Sequence, residues 1–472
     1  MRAHEAGALH ADINHRGPSW LPEPHDVNAL VPLLWSTSAR KNLRGALEVG
    51  GVDLRGVVAE YGSPAYILDE ADFRTRAAAF RDAFADYAVF YAGKAFLCTT
   101  VARWIAEEGL SLDVCSAGEL AVALRAGFDP ARMGYHGNNK TVDELRRAVQ
   151  AGVGRIIVDS FHEIDRLVAL TSETGRDARV MVRVTAGVEA HTHEYIATAH
   201  EDQKFGFSIT SGEAFDAVRR ILDTPGLQLL GLHSHIGSQI FDTSGFEVAA
   251  RRVLTLHARV SRELGVDMEE MDLGGGFGIA YTSQDDPADP AQLAKEITTI
   301  VGHECRGFGL AVPALSIEPG RAIVGPSVCT IYEVGTVKEV ALDAGAARTY
   351  VSVDGGMSDN IRTALYDADY SCTLASRHST AEPVLGRVVG KHCEAGDILV
   401  KDEFVAGDIA PGDLLAIPGT GAYCRSMASN YNHALRPPVI AVCDGVATVV
   451  VRRETEDDLL RTDVGAHGGV GR

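Results

Sequence analysis

Between residues 88 and 322 the chain alternates two kinds of apolar pattern. Short runs rich in β-branched and aromatic residues fall at 88–91, 111–115, 133–136, 155–158, 179–184, 227–235, 269–273 and 314–318. Between them lie segments such as 117–126, 142–152, 211–222 and 246–264, whose apolar residues recur at helical spacing. Eight strand–helix units in roughly 235 residues match the size of a (β/α)8 barrel. A doubly wound sheet is the competing arrangement, and it wants a G-x-G-x-x-G turn after its first strand. The glycine cluster here, Gly274-Gly275-Gly276-Phe277-Gly278-Ile279, follows the seventh run and carries Ile where the last glycine belongs. A barrel over residues 67–322 is the expectation.

After Val324 the pattern changes. Runs at 329–340, 348–354, 383–390, 397–401, 413–417 and 439–451 read as strands, joined by turns such as Cys443-Asp444-Gly445. They predict a second, mainly β domain (a Greek-key-like barrel or sandwich) built from residues 29–66 and 323–463. Residues 1–28, rich in His, Pro and Gly, read as a poorly structured arm, and 464–472 as a flexible tail.

Composition narrows the function classes. A chain of 472 residues is too long for one ordinary core. Its net charge of −20, from 44 basic and 64 acidic residues, argues against a nucleic-acid partner. A few arginines in an acidic protein can still bind a small anion. The eight cysteines form no C-x-x-C, so reduced thiols are expected and zinc is disfavoured. No apolar run approaches the ~18 residues that span a bilayer, and Glu5, His10 and Asp12 break any signal-peptide pattern. A cytoplasmic protein without membrane contact is expected.

In a barrel, chemistry belongs at the C-terminal ends of the strands. The first strand runs into Tyr91-Ala92-Gly93-Lys94-Ala95-Phe96. A lysine among small and aromatic residues can be desolvated, which lowers its pKa and makes it a Schiff-base former; an ordinary surface lysine is the alternative. The sixth strand ends His233-Ser234-His235-Ile236-Gly237-Ser238, and period-two alternation sends both histidines to one face. An imidazole there can stack on a flat ring, or simply be a hydrogen-bonded core group. The amides of Gly274-Gly275-Gly276 can cradle a phosphate, or form a bare turn. The eighth strand ends Glu318-Pro319-Gly320-Arg321, next to the usual phosphate site of this fold. An amine, a stacking group, a phosphate cradle and a carboxylate around one mouth are the parts that pyridoxal phosphate requires.

Tyr91-Ala-Gly-Lys-Ala95, His235-Ile-Gly-Ser238, Gly274-Gly-Gly276 and Glu318-Pro-Gly-Arg321 resemble the fold-type III pyridoxal-phosphate decarboxylases. Downstream, Asp354-Gly-Gly-Met-Ser-Asp-Asn-Ile-Arg362-Thr-Ala-Leu-Tyr366, Cys393-Glu394-Ala395-Gly396-Asp397 and Gly421-Ala-Tyr423 look like the diaminopimelate decarboxylases. So do Gly187-Val-Glu-Ala-His-Thr-His-Glu194 and Lys204-Phe-Gly-Phe207. The likeness runs in order from about residue 30 to about 464. It implies that Lys94 carries pyridoxal 5'-phosphate as a Schiff base and that His235 stacks on its ring. Ser238, Gly275, Gly276, Gly320 and Arg321 are implied around the phosphate, Glu318 at the ring nitrogen, and Tyr423 at the cofactor. Arg321, Arg362, Tyr366, Glu394 and Tyr423 are implied to contact the amino-acid substrate, with Cys393 as proton donor. A homodimer with active sites shared between subunits is implied as well.

The physics of the residues agrees. Loss of CO2 leaves a carbanion that a protonated pyridine ring can delocalise. A carboxylate at Glu318 favours that protonation, where a racemase is expected to carry an arginine. Arg362 suits a distal carboxylate through a bidentate fork, and Glu394 suits a distal ammonium. Together they favour a diamino diacid over ornithine or lysine. The other readings are a relative acting on another diamino acid, or a non-catalytic protein that carries the cofactor. Two departures from the family pattern stand out. Ala395 replaces a serine, removing a hydroxyl, and Thr363 replaces a proline, a local loop change.

Overall fold

A computed structural model of the chain describes Pro18 and residues 20–187, 204–341 and 347–467. The quoted residues 188–194, most of the N-terminal arm and the last five residues lie outside that set. The chain divides into two compact units: residues 74–278 with 287–323, and residues up to Phe73 with 279–286 and those from Val324 on.

The first unit is a closed parallel barrel. Its strands are β1 (Tyr87–Ala92), β2 (Ser111–Val114), β3 (Met133–Tyr135), β4 (Arg155–Val158), β5 (Ala178–Thr185), β6 (Leu227–His233), β7 (Glu270–Asp272) and β8 (Ala314–Ile317). Each pairs in parallel with its neighbours, and β8 closes the ring onto β1. Parallel strands are covered on both faces, so they read as apolar runs; Ile156, Ile157 and Val158 of β4 are all buried. Helix signals bracket the strands. Thr141 and Glu144 form a reciprocal capping box at the start of Val142–Ala151, and Gly152 ends that helix in the left-handed region.

The second unit is built on a long strand, Val328–Ala341. Its first half pairs with Ala65–Asp69 and Leu414–Ile417, and its second half with Ala347–Val353. The sheet continues through Pro383–Val389 and Ile398–Ala406 on one side and through Val439–Cys443 and Val446–Val451 on the other. Two pairings are parallel, Ala65–Asp69 with Val439–Cys443 and Ala347–Val353 with Pro383–Val389. The mainly β second domain that the sequence predicts is therefore a mixed sheet. Long connections between those strand pairs make the parallel register accessible. Leu47, Leu54, Ile67, Ile331, Ala416 and Ile440 share its core. Residues 67–73 and 279–286, assigned to the barrel by pattern, belong to this unit. Ala65–Asp69 is an inner strand of its sheet, and Tyr281 packs edge-on against Tyr370 at 5.1 Å. Asn28, at the end of the predicted arm, is buried and exchanges two hydrogen bonds with Ser379. Among the described residues no helix is long and apolar enough to cross a membrane.

One buried ion pair fastens the loop after β3. Lys140 Nζ donates to Gly137 O at 2.7 Å, Ile157 O at 2.6 Å and Glu163 Oε1 at 2.7 Å, with both side chains almost wholly buried. Removing one member of such a pair strands the other charge. Lys140→Ala is expected to cost about 3–5 kcal/mol of unfolding free energy. Denaturant titration checks this; a loss below about 1 kcal/mol would mean that Glu163 finds other solvation.

Candidate active site

The C-terminal ends of the barrel strands enclose a cavity of about 290 Å³, lined among others by Lys94, Asp113, His136, Arg183, His235 and Glu318. Tyr91, Ala92, Ala95 and Phe96 are buried as their composition predicts, but Lys94 itself is exposed. The expected desolvation of this amine is thus corrected. The flanking side chains point into the shell, while Lys94 projects past the end of β1 to the rim.

His233 and His235 both line the cavity, as their alternation predicts. His233 Nε2 lies 2.8 Å from Glu318 Oε1, and both residues are buried. His136 Nε2 lies 3.4 Å from the same oxygen and 3.1 Å from Asp113 Oδ1. Burial alone pushes both carboxyls up, yet the two end in opposite states. The imidazoles of His136, His233 and His235 outweigh burial at Glu318 and hold it well below its ordinary range. Burial and the neighbouring Glu318 charge raise Asp113 well above its own. Two adjacent buried carboxyls cannot both ionise cheaply, and Glu318 takes the charge. Burial lowers His136 to about 4, so it is neutral at pH 7. Burial thus favours the uncharged form of both Asp113 and His136. Burial, with Lys94 next, also pushes His235 well below its ordinary value. Gly275 N donates to its Nδ1 at 3.2 Å, which puts the ring proton on Nε2.

The glycine turn is locked from below. Asp272 Oδ1 accepts from Gly274 N at 2.7 Å, and Oδ2 accepts from Ser316 Oγ at 2.6 Å and from Arg155 Nη2 at 2.5 Å. A Cβ on Gly275 would meet Glu318 O at 2.2 Å, and Gly276, at φ +108°, would meet Gly237 O at 2.5 Å. Only glycine fits this approach. The amides of Gly274 and Gly275 are engaged by Asp272 and His235, so the idea of three bare amides is corrected. The first two shape the turn and orient the ring. On the neighbouring loop Arg321, also buried, donates from Nη2 to Ser238 Oγ at 2.9 Å. Gly320 packs on β1, where a Cβ would come 2.9 Å from that of Ala92.

The remaining predicted residues lie in the β unit. Arg362 opens the short helix Arg362–Tyr366 and is buried, with Nη1 donating to Tyr370 Oη at 2.7 Å. Tyr366 closes that helix, partly exposed. Thr363 is buried and donates to Leu399 O at 3.1 Å, so the hydroxyl ties this helix to the sheet. Cys393, Glu394 and Ala395 are exposed in the turn between Pro383–Val389 and Ile398–Ala406. Tyr423 holds φ +66°, an uncommon conformation for a residue with a side chain.

Asp113, His136 and Arg183 were not legible as site residues, although each lines the cavity. Arg183 lies 3.9 Å from Asp159 Oδ2 with its guanidinium 4.3 Å over the Phe205 ring. For Asp113 and Arg183 the available signal was a charged residue inside an apolar barrel strand, one or two positions before its end, and for His136 a titratable residue directly after one.

Comparison with known proteins agrees with this geometry. Residues 70–325 match the family model described as pyridoxal-dependent decarboxylase, pyridoxal binding domain. That sets the class: decarboxylases that hold pyridoxal phosphate in a barrel. The chain is 56% identical over 440 residues to the diaminopimelate decarboxylase of Mycobacterium tuberculosis, covering 92% of this chain and 98% of that one. It is 44% identical to that of Bacillus subtilis, with the same coverage. The crystal structure of the M. jannaschii diaminopimelate decarboxylase with L-lysine superposes with a TM-score of 0.84 at 28% identity, covering 91% of this chain and 98% of that one. At such identity and coverage the chain belongs to the diaminopimelate decarboxylase family.

The buried histidine offers a direct check of the mouth's electrostatics. In the cofactor-free protein the His136 imidazole is expected to titrate near 4 by NMR, against about 6.5 in an unfolded chain. Between those values the unfolded chain binds a proton that the folded one refuses, so stability falls as the pH drops through that window. A midpoint above 6 would show that His136 is charged and that the proton assignment to Asp113 is wrong.

Proposed function

We propose that the chain removes one carboxylate of meso-2,6-diaminopimelate, giving L-lysine and CO2, the last step of lysine biosynthesis, with pyridoxal 5'-phosphate as cofactor. The observation that carries this is the buried Glu318 carboxyl, 2.8 Å from His233 and 3.4 Å from His136, on the same cavity as His235 and Lys94. The cavity suits the cofactor. Its volume is near the lower end of small-molecule sites. Asp113 Oδ2 and His233 Nδ1 are buried there without a hydrogen-bond partner. The glycine turn has no room for side chains.

When bound, pyridoxal phosphate supplies an electron sink for the pair left behind as CO2 departs. Lys94 Nζ would hold it covalently, and the flat, neutral His235 ring would lie against its face. Ser238, Gly275, Gly276, Gly320 and Arg321 would surround the phosphate, with Tyr423 nearby. Glu318 would keep a proton on the ring nitrogen, because a carboxylate attracts an adjacent cation more strongly in a buried site than the same pair does in water. Arg321, Tyr366 and Tyr423 would position the substrate, Arg362 would pair with its distal carboxylate and Glu394 with its distal ammonium. Cys393 Sγ would then deliver a proton to the carbon that has lost CO2.

The purified chain loaded with pyridoxal phosphate should release CO2 from meso-diaminopimelate and far less from ornithine, lysine or arginine offered in parallel. Lys94→Ala should lose both this activity and the visible absorbance of the bound cofactor. A Lys94→Ala protein that keeps both would overturn the cofactor assignment, and preferential turnover of ornithine would overturn the substrate.

We infer also that the protein is cytoplasmic and a homodimer, with Cys393 and Glu394 of one subunit serving the cavity that holds Lys94 of the partner subunit. Support for the first is that all eight cysteines are free thiols. Support for the second is the exposure of the 393–395 turn and the family resemblance. Mixing Lys94→Ala with Cys393→Ala subunits, each nearly inactive alone, puts both lesions in one site of each heterodimer and none in the other. About half the dimers pair randomly as mixed, so about a quarter of the parent activity should return. No recovery after verified subunit exchange would show that each site is built within one chain.

A further inference from the structure

Arg362 is a buried guanidinium without a carboxylate partner among the described residues. It is 5% exposed, and its Nε is buried without any hydrogen-bond partner. A charge in that position is costly unless something holds it and something eventually pairs with it. What holds it is aromatic. The guanidinium carbon stands 4.6 Å over the Tyr281 ring and 5.7 Å from that of Tyr370, and the two rings meet edge to face at 5.1 Å. Tyr370 Oη accepts from Arg362 Nη1 at 2.7 Å and lies 3.6 Å from Cys424 Sγ. Cys424 Sγ donates to Asn360 Oδ1 at 3.4 Å, and the same oxygen accepts from Arg362 N at 3.3 Å, which closes the ring of contacts. Tyr281 is fixed in turn: its own N and that of Thr282 both donate to Asp285 Oδ2 at 2.9 Å. Gly419, at φ +71°, lets the Tyr281 ring pack where a Cβ would be 3.3 Å from it.

We propose that Tyr281 and Tyr370 are specificity-determining positioning residues, a neutral aromatic cage that presents the Nε–Nη2 edge of Arg362 to the distal carboxylate of the substrate. This rests on the assignment of Arg362 to that carboxylate. The guanidinium has two forks for a bidentate carboxylate, and the Tyr370 hydroxyl occupies Nη1, which leaves the side fork of Nε and Nη2. The ring of Tyr281 supports the cation by its face without neutralising it. An acidic partner would satisfy Arg362 permanently and blunt its affinity for a substrate. A tyrosine hydroxyl and a ring face hold the group and leave its charge available.

The reaction leaves the distal carboxylate on the product, so product inhibition isolates this contact from the chemistry. L-Lysine keeps that carboxylate; 1,5-diaminopentane is the same chain without it. In the cofactor-loaded enzyme, Tyr370→Phe and Tyr281→Leu should each raise the inhibition constant of L-lysine about tenfold, the scale of one charge-assisted hydrogen bond. That of 1,5-diaminopentane should stay within about twofold, well short of the tenfold scale of that bond. For meso-diaminopimelate, KM should rise more than kcat falls. Equal weakening of both inhibitors by Tyr370→Phe would mean a merely structural role and would overturn the proposal. Arg362→Leu separates the two layers. If it fails to discriminate between the inhibitors, the assignment of Arg362 is wrong. If it discriminates while both tyrosine variants behave like the parent, the cage alone is wrong. Should Tyr281→Leu not fold, Tyr370→Phe, which deletes one oxygen, decides the matter.

Discussion

Keeping the Glu318 carboxylate ionised inside a barrel costs several kcal/mol of lost hydration, and much of the mouth can be understood as offsetting that cost. His233 lies 2.8 Å from the carboxylate, His136 lies 3.4 Å away, and the nearby Asp113 gives up its own charge. The result is a negative charge at the end of β8, with burial favouring the neutral form of the His136 and His235 imidazoles. A cationic ring is the partner such a charge selects. Had Asp113 also stayed ionised, the two carboxylates would compete, and the ring proton would lose its defined position.

Beneath that charge, Asp272 ties the electrostatics to the shape of the turn. It draws together Arg155 of β4, Ser316 of β8 and the Gly274 amide, while Arg155 also covers the Phe90 ring of β1 at 3.6 Å. The turn so fixed places Gly275 N on His235 Nδ1. The tautomer of His235 therefore depends on an ion pair one layer deeper in the barrel. Both carboxylate oxygens of Asp272 are matched in this network, while the buried Arg155 Nε is left without a hydrogen-bond partner.

How much of this the sequence reveals follows from how each feature is encoded. The eight barrel strands were legible because burial on both faces makes each an apolar run between polar caps. The pairs and triplets at Arg40–Lys41, Leu47–Val49 and Val52–Asp53 were not, because such short strands show no period. Lys94 was found by its position after β1, but its exposure was misjudged. Composition of the flanking residues says that they are buried, not where the lysine side chain goes. Arg362 was found by motif, whereas no motif singles out Tyr281 or Tyr370. Tyr281 meets Arg362 by tertiary contact across some eighty residues of chain, and Tyr370, eight residues on, by the fold of the loop between them, neither of which a local pattern records.

The charge of the whole chain gives the arginine cage its importance. meso-Diaminopimelate carries two carboxylates and two ammonium groups and is neutral at pH 7, whereas ornithine and lysine are cations. A protein of net charge −20 attracts those cations at long range. That attraction fades beyond about 8 Å at physiological ionic strength, so discrimination has to be exercised at contact. A buried guanidinium with no acidic partner among the described residues does this in both directions. It repels a distal group that is only an ammonium, and it pairs with one that brings a carboxylate. A salt-bridged arginine would have done neither, which is why the neutral character of Tyr281 and Tyr370 matters more than their bulk.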